Sequence, residues 1–350
     1  MAYTTINKST DYFNTNLHSG TGSSQNITTG LNMSANGGLV WNKVRSTSNN
    51  HILCDTIRGA TKLIHSDLTA AESTDTTSLT SFNTDGWTGG GGGNTNGSGQ
   101  TFVSWNWLAG SSPSGSANTD GTVNSTVSVN ATSGFSIVSY TGNGSAGATV
   151  GHGLGSTPKM IIVKKRNGTA SWKVYHASVG ATASCPLNTN GIFDVEIYPW
   201  NNTEPTSSVF SLGTTGETNG SGANIIAYCF SDVQGFSKMG SYTGNGSTNG
   251  TFIYTGFKPA FVIAKNTSAT GVWRMWDNKR DVDNLNTANF QANASNAEYN
   301  DPSVGIDFLS NGFKPRSTDS SYNGSGSNYI YMAFAEAPLV GTNNVPCTAR

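Results

Sequence analysis

The phrase SYTGNGS occurs twice without a change, at Ser139–Ser145 and at Ser241–Ser247. Each copy is followed by a glycine, a proline and an apolar run that ends in lysine, within Gly153–Asn167 and Thr255–Asn266. Identical phrases in the same order are the signature of an internal repeat. The repeat therefore constrains the chain to fold as consecutive units of one kind.

Each unit closes on a second shared phrase, an Asn-Gly-Ser-Gly turn followed by an apolar and aromatic run. The phrase stands at Asn219–Asp232 and at Asn323–Glu336, and a diverged copy stands at Asn96–Trp107. The unit with the diverged copy has a glycine run at Gly89–Gly93 and lacks the proline before its apolar run that ends in lysine. These matches predict three units, of which the first is the most diverged.

The shared phrases also set the predicted boundaries. We expect an N-terminal anchoring arm at residues 1–16, β repeats at 17–110, 135–234 and 235–338, a Gly/Ser/Thr-rich linker at 111–134, and a C-terminal tail at 339–350.

Composition decides the fold class. Glycine is 43 of 350 residues and charged residues are only 11%, which disfavours helices, while aromatic residues at 10% argue against disorder. The closing runs are apolar on both faces, as in a central strand that is covered on both sides. We predict an all-β protein made of three tandem, diverged, antiparallel β-sandwich repeats, jelly-roll-like and about 100 residues each.

The repeated SYTGNGS phrase has a structural and a functional interpretation. The structural one is a strand that runs into a hairpin turn, with Tyr140 and Tyr242 in the core. The functional one is a ligand-binding loop at the turn. Gly142–Gly147 also fits the dinucleotide pattern GxGxxG, but the residues that follow it cannot form the helix that this pattern needs.

The sequence predicts no catalysis, no cofactor and no metal. The histidines and cysteines are not at metal-ligand spacing, and no nucleophile or phosphate-loop motif is present. The remaining alternative is a glycosidase pair drawn from Glu298, Asp301 and Asp307, which requires folding to bring two of them together.

Charge and hydropathy limit the partners. The net charge of −1 gives no basic surface for nucleic acid. No apolar run approaches the roughly 20 residues that span a bilayer, so membrane insertion is not expected. The first residues lack the apolar segment of a secretion signal, so we expect assembly in a cytoplasm rather than secretion.

One loop contains the candidate ligand-binding residues. The segment IYPWNNTEPTSS (Ile197–Ser208) is polar and proline-containing, and it sets one tryptophan beside two asparagines. Aromatic rings stack on sugars and dominate binding hot spots. We therefore expect an exposed binding site at Trp200, Asn201 and Asn202.

The repeated sequence phrases resemble a repeat domain found in virion proteins of tailed bacteriophages, especially marine ones. The resemblance rests on SYTGNG, DTIRGATK, IDFLSNGF and NGSGSNYIYMAFAE, and it covers the chain from about Tyr12 to Glu336. It implies a tail-fibre, receptor-binding or other component of the particle surface, and it implies no catalytic residues.

With this resemblance we expect a structural virion protein, a tail fibre or adhesin that binds a host surface glycan or protein. The alternatives are a capsid decoration or cement protein and, less favoured, a polysaccharide-degrading tail enzyme. We further expect that residues 1–16 anchor the chain to other virion proteins and that the protein is a homo-oligomer, for which phage fibres suggest a trimer.

Overall fold

Antiparallel sheets make up nearly all of the fold. The computed structural model describes residues 3–110 and 112–340. Within these ranges the helical elements are single turns: α1 (Met33–Asn36), α2 (Gly216–Asn219) and two 3-10 turns, Ser9–Asp11 and Pro302–Val304. The predicted all-β sandwich fold class is confirmed.

The first region has a main sheet in the order β1-β9-β3-β4 and a small sheet in the order β2-β8-β7, with β5 paired to β6. Its strands are β1 (Phe13–Ser19), β2 (Gln25–Thr28), β3 (Gly38–Val44), β4 (Ile52–Asp55), β5 (Lys62–Leu63), β6 (Ser73–Thr74), β7 (Leu79–Asn83), β8 (Gly86–Gly89) and β9 (Thr101–Leu108).

The second region has a main sheet in the order β10-β11-β12-β19-β14-β15, with β13 paired to β18 and β16 to β17. Its strands are β10 (Ser116–Asn118), β11 (Ser125–Asn130), β12 (Phe135–Thr141), β13 (Ala148–Gly151), β14 (Met160–Lys165), β15 (Lys173–His176), β16 (Ala183–Ser184), β17 (Asp194–Val195), β18 (Val209–Leu212) and β19 (Asn224–Phe230).

The third region has a main sheet in the order β20-β28-β22-β23-β24-β25 and a small sheet in the order β21-β27-β26. Its strands are β20 (Ser237–Thr243), β21 (Ile253–Tyr254), β22 (Phe257–Asn266), β23 (Arg274–Asp277), β24 (Ala288–Gln291), β25 (Tyr299–Asn300), β26 (Ile306–Leu309), β27 (Gly312–Pro315) and β28 (Asn328–Pro338).

The same four-strand order therefore occurs in each main sheet, as β1-β9-β3-β4, β12-β19-β14-β15 and β20-β28-β22-β23. The second strand of each set contains the closing phrase, and we call it the closing-phrase strand. The third strand contains the apolar run with the shared lysine, and we call it the lysine strand. In β28, Ile330, Met332 and Phe334 pack into one core, while Tyr329 and Tyr331 pack into another. The closing run is apolar on both faces because the strand is covered on both sides.

The three main sheets share one core. Trp107, Phe230 and Phe334 occupy the same register on the closing-phrase strands, opposite Leu39, Met160 and Phe261. Their ring centroids are 5.6 to 6.2 Å apart, so all three meet at one point. Each region thus has its own sandwich core and contributes its inner face to a common one.

The SYTGNGS turns are structural. Tyr140 is buried and donates its hydroxyl to Thr218 O at 2.7 Å. The turn is held by Asn219, which accepts from Asn143 N at 2.9 Å and donates to Ser145 O and Gly213 O at 2.9 and 2.7 Å.

Asn323 makes the corresponding bonds in the third region, to Asn245 N, Ser247 O and Ser317 O. In the first region Asn96 accepts from Thr21 N and donates to Ser23 O. The turn is not a hairpin, because it leads from the main sheet to the small sheet, from β12 to β13.

The predicted linker at 111–134 is wrong for most of its length. It contains β10 and β11, and Ser125–Asn130 pairs antiparallel with β12. Val123 and Val127 are buried in the second sandwich. The segment was too polar to resemble a strand because only alternate side chains face the core.

The predicted anchoring arm at residues 1–16 packs on the chain itself over the residues that the structure describes, 3–16. Tyr3 donates to Gly256 O and Thr4 to Gln234 O, both at 2.7 Å. Ile6 and Phe13 are buried in the common core, where Phe13 stacks on Phe334. Met1 and Ala2 lie outside the described residues, as do residues 341–350 of the expected tail.

Candidate functional site

The main sheets meet at three junctions that share one backbone frame. At the first–second junction Ala170 N donates to Thr69 O, and at the second–third junction Gly271 N donates to Asn190 O, both at 2.9 Å. At the third–first junction Asn49 N donates to Ser295 O at 2.8 Å. The junctions differ in the side chains that they place around this frame.

At the first–second junction the centre is Asp55, the last residue of β4. Its carboxylate accepts from the Arg58 guanidinium and, at 2.8 Å, from Tyr228 Oη of the second region. Asp55 and Arg58 have fully buried side chains, so this charge pair is excluded from water. Burial alone would penalise both charges, and their pairing compensates for it.

Two further residues extend this centre into a charged triad. Glu72 accepts from Arg58 at 3.3 Å, and Arg166 of the second region donates to both Glu72 oxygens at 2.9 and 3.0 Å. Glu72 N also donates to Arg166 O at 2.9 Å. We call Arg58, Glu72 and Arg166 the first junction triad.

The third–first junction repeats this arrangement. Asp277 accepts from Trp105 Nε1 at 3.1 Å and from Arg280 Nε at 2.5 Å. Glu298 then joins Arg280 at 3.3 Å to Arg45 of the first region at 2.8 Å. Arg280, Glu298 and Arg45 form the second junction triad, and the Arg280 guanidinium lies 4.6 Å from the Phe290 ring centroid.

Among the described residues, the second–third junction has no such triad. His176 occupies the position of the aspartate and lies 3.3 Å from Tyr331 O through its Nε2. Burial lowers the pKa of His176 to about 4, so its ring is neutral at pH 7. Val179, Phe193 and Thr267 stand where the other junctions have arginine, glutamate and arginine.

A cleft of about 550 Å³ opens at this second–third junction. Acidic and basic side chains are absent from its described lining, which consists of Ser178, Val179, Phe193, Ser241, Tyr242, Thr243, Thr267, Ser268, Asn328, Tyr329 and Ile330. Burial raises the pKa of Tyr242 and of Tyr329, so both hydroxyls stay protonated. We call this feature the open-junction cleft.

The described lining of the cleft offers groups that form hydrogen bonds. Hydroxyl and amide groups can exchange hydrogen bonds with a neutral polar ligand, but none of them is a strong acid, base or activated nucleophile. The volume falls within the range of small-molecule sites. A ligand rich in hydroxyl groups fits this lining, whereas a charged ligand would find no counter-charge on it.

The three carboxylates considered for glycoside hydrolysis are each engaged elsewhere. Glu298 belongs to the second junction triad. Asp301 accepts from Ser303 N at 2.8 Å, and Asp307 lies 3.5 Å from the Arg316 guanidinium. None of the three lines the open-junction cleft in the described chain.

The predicted site at Trp200, Asn201 and Asn202 is wrong for its central residue. Trp200 is only 2% exposed and packs in the second sandwich core, with its ring centroid 5.9 Å from that of Tyr175. Asn201 and Asn202 have φ values of 51° and 49°, a left-handed turn that asparagine tolerates. The two asparagines form this turn so that the tryptophan ring points inward.

The open-junction cleft itself was not predicted. Its sequence signal is that Val179 stands at the position where the other two regions have Arg58 and Arg280, and that Thr267 stands at the position of Arg166. These correspondences can be seen only after the three regions have been aligned, including the strand that follows each lysine strand. In residues 3–110 and 112–340 no cluster of three or more His, Cys, Asp or Glu residues could hold a metal.

A family comparison matches nearly the whole chain. The model of the family described as "Domain of unknown function (DUF7483)" matches residues 8–338. The chain belongs to this family. The match includes both junction triads, the open-junction cleft and the strands β10 and β11, so these are features of one DUF7483 domain.

No curated protein and no solved structure matches the chain. Among the described residues, no helix has the length and apolar character needed to cross a bilayer.

Proposed function

We propose that this protein is a non-enzymatic phage virion component that binds a neutral saccharide of the host surface in its open-junction cleft. The observation that carries the proposal is the replacement of a charged triad by an uncharged, hydroxyl-lined cleft at one junction of the described chain. The virion context comes from the resemblance of the repeated phrases to phage surface proteins.

The framework around the cleft supports a binding role because it is preorganised. Tyr242 donates to Tyr322 O at 2.6 Å and Tyr329 to Ser320 O at 2.7 Å, which fixes the two rings at the edge of the cleft. Fixed side chains lose little conformational entropy when a ligand binds. Four residues with hydroxyl groups also line the cleft: Ser241 and Thr243 of β20, and Thr267 and Ser268, which follow β22.

The lining also predicts which saccharides bind. Sialylated or uronic-acid sugars need a cation to pair with their carboxylates, and the cleft offers none in its described lining. Neutral hexose or deoxyhexose oligomers satisfy the hydroxyls without leaving a charge unpaired. The specificity follows from the missing charges.

The test is a glycan array followed by calorimetry with the full chain, its Thr267→Arg variant and its Thr267→Ser variant. Thr267 is half-buried and occupies the place of Arg166 at the first–second junction, so arginine there fills the cleft with a charged side chain. We expect neutral glycans to bind, Thr267→Arg to weaken binding at least about tenfold, and Thr267→Ser to retain it. The melting temperatures should stay close to that of the wild type.

Two outcomes would overturn the proposal. One is selective binding of acidic glycans, and the other is neutral-glycan binding that Thr267→Arg leaves unchanged. If no glycan binds at all, adsorption to host cells by particles carrying Thr267→Arg would separate protein-receptor binding from the capsid decoration role.

A further inference from the structure

The outer edge of β20 in the third region is partly unoccupied. β20 pairs with β28 on one side and has no strand on the other side among the described residues. The corresponding strand of the second region, β12, pairs with β19 on one side and with β11 on the other. Ser125–Asn130 therefore shows what an added strand looks like on this frame.

The added strand fills a gap between two sheets. Val127 lies opposite Val138 in register, and Val127 and Val123 are buried in the second sandwich core. Val123 also forms a parallel bridge with Val150 of the small sheet. The strand thus closes the open side of the sandwich with Val123 and Val127, while Ser128, on the opposite face, is buried against Ser112 O.

The first region closes the same gap with one side chain. Asn16 of β1 corresponds to Val138, since Phe13 and Phe135 lie opposite the equivalent residues Trp107 and Phe230. Asn16 Nδ2 donates to Thr28 O of β2 at 2.8 Å. This bond ties the main sheet to the small sheet across the gap.

The third region bridges the two ends of the gap with side chains: Lys238 Nζ donates to Tyr254 O at 3.3 Å, and Thr251 Oγ1 donates to Thr243 O at 2.8 Å. Gly240 stands at the position of Asn16 and Val138, opposite Tyr331. Phe252 and Tyr254 beside it are 43% and 48% exposed, and clefts of about 410 and 420 Å³ lie on the two sides of Tyr254. Exposed aromatic rings around a slot mark an interaction surface.

Outward backbone groups at this edge are available from Ser241 onward, except that Thr243 O already accepts from Thr251 Oγ1 at 2.8 Å. Ser237 N donates to Val233 O, and Met239 N donates to the Asp232 carboxylate at 2.8 Å, so the start of the edge is satisfied by the chain itself. Since alternate residues of a strand direct their amides to the same edge, Ser241 N points outward as well. An added strand could bond the stretch Gly240–Thr243.

We propose that an extended segment of another polypeptide pairs antiparallel with Gly240–Thr243, as β11 pairs with β12. The segment carries a small apolar residue opposite Gly240, in the place that Val127 takes opposite Val138, and serine or threonine on either side of it. Phe252 and Tyr254 cover that residue. Addition of a strand to a free sheet edge is a general mode of peptide recognition. Three residues of this stretch, Ser241, Tyr242 and Thr243, also line the saccharide cleft.

The test uses a synthetic peptide with the sequence of Val123–Asn130 as the probe for the full chain. A peptide in which the valine corresponding to Val127 is aspartate serves as the control. We expect the first peptide to bind with an affinity in the micromolar range, about tenfold or more tighter than the control, and to slow hydrogen exchange of the Ser241 and Thr243 amides.

Two protein variants make the test specific to the edge. Ser241→Pro removes the outward amide and should abolish peptide binding, because proline is tolerated on an edge strand but cannot donate. Ser241→Ala keeps the amide and should bind as the wild type does. Binding that survives Ser241→Pro, equal binding of the two peptides, or no binding at millimolar peptide would each overturn the proposal.

Discussion

The first–second and second–third junctions share a backbone frame, yet one is filled with charge and the other is an open cleft. Trp172 Nε1 donates across the first–second junction to His65 O at 2.8 Å, and Trp273 Nε1 donates across the second–third junction to Pro186 O at 3.0 Å. The difference lies in side chains at corresponding positions: Arg58, Glu72 and Arg166 in one, Val179, Phe193 and Thr267 in the other. A junction of this fold can therefore keep these tryptophan bonds and still open as a cleft, although among the described residues the backbone bond from Glu72 N to Arg166 O has no counterpart between Phe193 and Thr267.

The charged triad at the first–second junction can be buried because its hydrogen-bonding groups have partners. Arg58 donates to Asp55, to Leu53 O and to Lys62 O, so most of its donors are satisfied. Buried ion pairs contribute when their remaining hydrogen-bonding groups are matched. In the second–third junction the neutral His176 and Val179 make no such demand, and Phe193 packs against Trp273 instead.

The largest expected effect comes from opening the filled junction. Arg58→Ala leaves Asp55 buried without its cation and Glu72 with Arg166 alone, so we expect a loss of about 3–5 kcal/mol in the free energy of unfolding. The matched control is Val179→Ala, which removes a half-buried side chain at the same place in the other junction and should cost about 1 kcal/mol. Urea unfolding measures both.

Equal losses for the two variants would contradict the distinction between the junctions. If Arg58→Met is no less stable than the wild type, the triad fixes the arrangement of the junction without adding to the free energy of unfolding.

The sequence predicted the sheets better than it predicted their surroundings. The Lys strand and the closing phrase identified β14, β19, β22 and β28 because their apolar runs are long and are fixed by both neighbouring layers. The interval 111–134 was misread because two of the three buried residues of β11 are serines, Ser125 and Ser128, and only Val127 among them is apolar. A strand whose buried residues are mostly polar gives a weaker sequence signal than a central strand that is apolar on both faces.

Trp200 shows a second limit of sequence reasoning. Pro199 and two asparagines around a tryptophan are typical of an exposed loop, but the left-handed turn at Asn201 and Asn202 directs the ring into the core. The open-junction cleft was missed for a related reason: its lining comes from two regions far apart in the chain. Only the packing of the three main sheets brings Phe193 and Thr267 to one place.

A smaller effect tests what all regions have in common. Asn219→Ala and Asn323→Ala each remove a buried amide that holds a SYTGNGS turn, and each leaves two backbone carbonyls without that donor. We expect losses of about 2–3 kcal/mol, equal in both regions within about 0.5 kcal/mol. Asn143→Ala, on the exposed side of the same turn, should cost less than about 0.5 kcal/mol.

Thermal and urea unfolding of the three variants would show the difference. A turn that binds a ligand rather than holding the sheets together would give the opposite order, with Asn143→Ala affecting binding and Asn219→Ala affecting stability only slightly.

The smallest effect concerns the lysines that the main sheets place at one register. Lys164 Nζ donates across the first–second junction to Thr69 O at 2.9 Å and also to Ala170 O, and Lys265 Nζ donates to Asn190 O at 3.2 Å and Gly271 O at 2.6 Å. Lys43, at the third–first junction, donates to Val44 O at 2.8 Å. Burial lowers the pKa of Lys43 to about 8. Lys43 therefore has fewer partners than its counterparts to offset the burial of its charge.

Lys43→Met should accordingly leave stability at pH 7 unchanged or slightly raised, whereas Lys164→Met should lower it by about 1–3 kcal/mol, because two carbonyls lose their donor.

The pH dependence of the stability difference between the wild type and Lys43→Met gives the sharper result. Because the pKa of Lys43 is about 8 in the folded chain and near 10.5 in the unfolded chain, the unfolded chain binds more protons between these values. The wild type should therefore gain stability relative to Lys43→Met as the pH rises from 8 towards 10.5, and the difference between the two should be constant below pH 7. Urea unfolding at pH 7, 8.5 and 9.5 measures this, and a difference that does not change with pH would show that the Lys43 amine remains charged and well solvated in the folded protein.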